Sequence, residues 1–127
     1  MSASHTPALD AVTFQLAATL DRYELEFDAL VRNWPEMEMY TVVSARVDEL
    51  RMYSAALPEL SMQYVSLLIA HAELVHGLWK TGSGGGYPPE ALAEAREEHR
   101  AAIAEMRRRC LRLLATSAAA PARAGSV

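Results

Sequence analysis

The side chains best placed to do chemistry in this sequence are two histidines set among apolar neighbours, His71 and His99. One run reads Leu60, Tyr64, Leu67, His71, Leu74, Leu78, and the other reads Leu92, Ala95, His99, Ile103, Met106, Cys110, Leu113. Both have the three- and four-residue steps of a buried helix face. A glycine-rich stretch, Thr81-Gly-Ser-Gly-Gly-Gly-Tyr87, separates them. His71 lies nine residues before Lys80, and His99 lies ten residues after Pro89. With about 1.5 Å of rise per residue, an antiparallel pair of helices brings the two rings to one height. The same distance counted from Asn33 reaches Tyr23 and Glu24 on one side and Ser44 on the other. The expectation is a polar layer of His71, His99 and Tyr23 inside a helical bundle, with Glu24 or Ser44 as further members and the two imidazoles within about 8 Å. Such a layer fixes helix register through hydrogen bonds. Its alternative use is to hold a metal ion or haem, for which two histidines leave further ligands to be supplied.

The remaining chemical motifs are weaker. Glu73-Leu-Val-His76 has the Glu-x-x-His spacing of di-iron bundles, but three residues before His99 stands Arg96, so no second copy exists. The glycine-rich stretch lacks the preceding strand and the Gly-Lys-Ser/Thr ending of a phosphate loop and is expected to be a linker. Cys110 has Arg107, Arg108, Arg109 and Arg112 near it, yet it sits on the apolar seam near a helix C-terminus, so a buried small residue is expected. Arg107-Arg108-Arg109 spreads around a helix rather than forming one stripe. No cofactor, catalytic residue or metal site is assigned on these grounds.

Composition bounds the rest. At 127 residues the chain suits a single domain, and 51% hydrophobic with 22% charged residues is a globular composition. A net charge of -4 makes nucleic acid an improbable partner, and one cysteine excludes an internal disulfide. No apolar run spans a bilayer and the first residues carry no secretory pattern, so a cytoplasmic protein without a membrane partner is expected. Eleven arginines against one lysine, with abundant alanine, fit a GC-rich bacterial genome. Residues 1–64 hold ten acids and four bases, whereas 65–127 hold six acids and eight bases. Two helical hairpins that attract one another account for this division.

Four helical segments must position these residues. The first opens at Thr6-Pro7 and carries Leu9, Leu16, Leu20, Tyr23, Phe27 and Leu30 before Pro35 stops it. The second carries Tyr40, Val43, Val47, Leu50, Ser54 and Leu57. The third, from Pro58 to about Lys80, adds a second apolar seam of Val65, Leu68, Ala72, Val75 and Trp79. The fourth follows Pro88-Pro89 with acids early and arginines late, as the helix dipole favours. The fold class is therefore all-α, an antiparallel four-helix bundle over residues 7–115, with disordered tails at 1–6 and 116–127. The alternative is one long second-and-third helix kinked at Pro58 in an obligate dimer.

The double seam, with Met39, Val42 and Tyr53 left over on the second helix, exceeds what one bundle buries. Met39, Val42, Tyr53, Val65, Val75 and Trp79 are therefore the expected partner surface. The functional expectation is a non-enzymatic protein–protein interaction module that forms a homodimer; the alternative is a ligand- or metal-binding bundle using His71 and His99.

Overall fold

The computed structural model describes the backbone of residues 2–125 and the side chains of 8–118. It is 89% helical, and no strand occurs among the described residues. The elements are α1 (Ser2–Arg32), α2 (Met37–Ala55), a single 3-10 turn (Pro58–Leu60), α3 (Ser61–Gly82) and α4 (Pro89–Gly125). The chain reverses at Ala56-Leu57, so α2 and α3 are separate helices and not one kinked rod. Pro58 opens the 3-10 turn, where its missing N–H costs nothing, and Leu57 and Leu60 are buried beneath it.

The helix bounds differ from expectation at several places. α2 starts at Met37 with Glu36 as its N-cap, the Glu36 carboxylate accepting from the Glu38 backbone N–H at 3.2 Å. α1 begins at Ser2 and α4 continues to Gly125, so helix covers 2–6 and 116–125, where loose tails are expected. Residues 118–120, 122 and 124 are all alanine, the strongest helix former, which carries a helix on without any apolar period. Met1, Ser126 and Val127 lie outside the described residues.

Two hairpins, α1/α2 and α3/α4, join mainly along α1 and α4, and of the neighbouring helix pairs α2 and α3 touch least. The core is the set of seams read from the sequence: Leu16, Leu20, Tyr23, Phe27 and Leu30 from α1, Val43 and Leu50 from α2, Leu67, Leu74 and Leu78 from α3, and Ile103, Met106 and Cys110 from α4. At its rim the α1–α4 seam is polar. Arg107 donates to Asp21 at 2.8 Å and to Glu24 at 2.9 Å, Arg96 lies 3.7 Å from Asp28, and Ser117 donates to Asp10 at 2.8 Å. The acid-rich first half thus meets the arginine-rich second half along one line. A further pair lies within the first hairpin: Arg46, 8% exposed, forks onto both Glu26 oxygens at 2.8 and 2.9 Å and also donates to Glu49.

The longest break between helices is 83–88, where Gly84 has φ +72°, a conformation that favours glycine. Gly77, one turn before the end of α3, lets the returning chain pack closely; a Cβ there would stand 3.0 Å from the Tyr87 ring and 3.2 Å from Leu92.

Leu20→Ala, in the core, is expected to destabilise the fold by about 2–5 kcal/mol. Phe14→Ala, on the same helix but 66% exposed, should change stability by no more than about 0.5 kcal/mol. Urea melts of both variants check the register of α1.

Candidate functional site

Three of the four helices converge on one hydroxyl. Tyr23 of α1 is fully buried, and its Oη lies 2.7 Å from Nδ1 of His71 on α3 and 2.7 Å from Nε2 of His99 on α4. A phenol has one proton, so Tyr23 donates to one imidazole and accepts from the other, which must carry N–H at that nitrogen. The rings of His71 and His99 lie 6.4 Å apart, centroid to centroid. Phe27, one turn along α1 from Tyr23, packs against both, at 4.4 Å from His99 and 5.3 Å from His71.

Each member stands where its helix demands. Tyr23 and Phe27 are four apart on the α1 seam and so share one face. His71 and His99 replace leucine-type positions of the α3 and α4 seams and inherit their inward direction. Glu24 and Ser44 do not join the layer: Glu24 turns to Arg107 at the α1–α4 rim, and Ser44 is exposed on α2. An aliphatic layer would cost nothing in desolvation; this one places three polar groups in the interior and joins them by two hydrogen bonds.

The electrostatics follow from burial. His99 is only 4% exposed, and loss of water lowers its pKa to about 4, helped by the nearby charges of His71, Arg96 and Arg100. His71 is half-buried and is lowered for the same desolvation reason. Tyr23 is held far above its ordinary value by burial. The layer is therefore a neutral hydrogen-bonded unit at neutral pH. Both imidazole nitrogens that point inward are engaged by Tyr23, so a ligand bound between the histidines would have to break both hydrogen bonds.

Elsewhere the motifs disperse. Glu73 and His76 lie on the exposed side of α3, and no cluster of three or more His, Cys, Asp or Glu able to hold a metal occurs among the described residues. Cys110 is buried in the core, and burial pushes its thiol up to about 11, against the opposing pull of Arg107.

The surface residues separate into two groups. Met39, Tyr53 and Val75 are half-buried and pack on the core. Val42, Val65 and Trp79 are 43%, 52% and 43% exposed. Val42 and Met39 line a shallow cleft of about 230 Å³ with Glu26, Ala29 and Glu38, while Trp79 stacks edge-to-face on Trp34 at 4.9 Å. On α3, Met62 and Ile69 are also exposed, and with Val65 they form a stripe along the outside of the helix. Their spacing of three and four residues is visible in the sequence, but lies opposite the seam that fills the core. Between Glu59 and Glu73 there is no Asp, Glu, Lys or Arg. Beside this stripe, Ser66, Ile69, Ala70, Glu98 and Ala102 line a groove of about 260 Å³ between α3 and α4.

No family model, curated protein or solved structure matches the chain. No helix among the described residues is long and apolar enough to cross a membrane.

Two outcomes test the layer. Histidines whose pKa values are depressed on folding bind protons preferentially in the unfolded chain. Their contribution to stability is thus complete above the unfolded value of about 6.5 and is lost as pH falls from there toward the folded values. Between pH 7.5 and 5.5 the parent should lose about 1–2 kcal/mol more than His71→Gln/His99→Gln in urea melts. Equal losses would show that the two rings are not buried and coupled. Separately, Tyr23→Phe should cost about 1–3 kcal/mol, because it leaves imidazole nitrogens unpaired in the interior; an unchanged melt would show that the hydroxyl does not tie the helices.

Proposed function

We propose that this chain is a non-enzymatic protein–protein interaction module, an adaptor, chaperone or regulator, that binds through the outer face of α3 and the adjoining side of α4. The observation that carries this reading is the charge-free stripe of Met62, Val65 and Ile69, exposed by 78%, 52% and 54%. Isolated apolar residues on a surface are ordinary, and Phe14, Leu25, Met52 and Leu111 are of that kind. Three at consecutive turns of one helix, without a charge along thirteen residues from 60 to 72, form a continuous apolar strip beside a groove. Covering each such side chain, already part-buried, is worth on the order of 1–2 kcal/mol. Methionine adds an adaptable contact.

The polar interior supports the same view. The Tyr23, His71 and His99 groups are hydrogen-bonded to one another beneath the surface. Their chemistry serves the scaffold, while the face that meets solvent offers packing.

A photo-reactive amino acid installed at Val65 and expressed in the native host should give covalent protein adducts. The same probe at Gln15, exposed on α1 diagonally across the bundle, should give few. Equal yields from both positions, or none from Val65, would overturn the assignment of the binding face.

A further inference from the structure

The geometry points to a second copy of this chain as the partner of the α3/α4 face, with the two α3 helices antiparallel about a two-fold axis; this rests on the interaction reading above. The first ground is that the stripe is self-complementary. A two-fold axis through its middle, between Val65 and Ser66, sets Val65 against Val65 and Met62 against Ile69 of the second copy, as an isologous contact requires.

The second ground is charge. On α4, Glu94, Glu98, Ala101, Glu105, Arg108 and Arg112 follow one another at steps of four, three, four, three and four. They form one line along that helix, acidic at its start and basic at its end. The groove shared by Ser66, Ile69 and Ala102 fixes the heights, so the middle of the α3 stripe lies level with Ile103. About that level, Glu98 is five residues before and Arg108 five after; Glu94 is nine before and Arg112 nine after. Face-to-face antiparallel pairing lays α4 beside its own copy running the other way. Glu98 then meets Arg108 of the second copy, and Glu94 meets Arg112, on both sides of the axis. Arg108 pairs with Glu105 along its own helix, whereas Glu94, Glu98 and Arg112 have no ion-pair partner within the chain among the described residues. An unrelated partner would need this alternation supplied from outside, whereas the chain carries its own complement.

Sedimentation equilibrium of the full chain from about 5 to 100 μM, a range in which specific dimers assemble, should show a dimer. Ile69→Glu, at a position 54% exposed, should keep the parent's helical signal and melting curve while weakening the dimer on the order of a hundredfold, since each copy contributes the change. Glu94→Arg and Arg112→Glu should each weaken it on the order of tenfold, and the two together in one chain should restore it. A monomer throughout overturns the proposal; if the Val65 probe still captures other proteins, the interaction reading survives without it. A dimer indifferent to Ile69→Glu places the contact on another face, and failure of the double charge exchange to restore affinity overturns the antiparallel register.

Discussion

The hydroxyl of Tyr23 is the point on which the bundle's arrangement depends. Burying a phenol oxygen and two imidazoles in an apolar interior is unfavourable unless each inward polar atom finds a partner. Here the partners sit on three different helices, so satisfying them fixes the height and rotation of α1, α3 and α4 together. A bundle of leucines alone tolerates a slide by one turn, because one apolar layer resembles the next. Slipping α3 by a turn in this protein would leave Tyr23 facing Leu67 or Leu74 in place of His71, and would strand an imidazole. The ion pairs of Arg107 and Arg96 with the acids of α1 reinforce the same register from the rim, where water screens them and each is worth less.

Most of the fold was legible because the apolar seams are long and regular. Every seam residue of α1 from Leu16 to Leu30 is buried, as are Val43, Leu50 and Ser54 on α2 and Ala95 through Cys110 on α4. The turn at Leu57-Pro58 was ambiguous, since the apolar register continues through it and no glycine or asparagine marks a stop. What decides it is tertiary: Leu57 and Leu60 both bury beneath the reversal, which a continuous helix could not do. The ends of α1 and α4 carry no apolar period to mark them, and the alanine-rich sequence at the end of α4 needs no buried face to be helical.

The polar layer could be reached by counting residues from the glycine-rich loop, because rise per residue is constant along both helices. Its chemistry could not. That Tyr23 lies between the two rings, and that Phe27 closes the layer, depends on side-chain direction across helices distant in sequence. The surface was harder still. Val75, Tyr53 and Met39 read as surplus on the helical pattern, yet all three are half-buried against the core. Met62 and Ile69, outside both seams, remain in solvent. Which flank of a helix is covered depends on the spacing of its neighbours, and no single helix records that.

Two protons set among three heteroatoms also give the layer a direction. If His71 donates from Nδ1 to Tyr23, the tyrosine must donate to Nε2 of His99, and both imidazoles are then the Nδ1–H tautomer. If His99 donates from Nε2, the tyrosine turns toward His71 and both rings are the Nε2–H tautomer. A mixed pair leaves either the phenol proton or one imidazole nitrogen without a partner. The tautomers of two residues on different helices are therefore coupled, and reversing the chain of hydrogen bonds requires each ring to carry its proton on its other nitrogen and the tyrosine hydroxyl to turn. The core of this bundle thus has two protonic isomers of one heavy-atom arrangement, told apart by the tautomer of both rings and by the sense in which the tyrosine hydroxyl points.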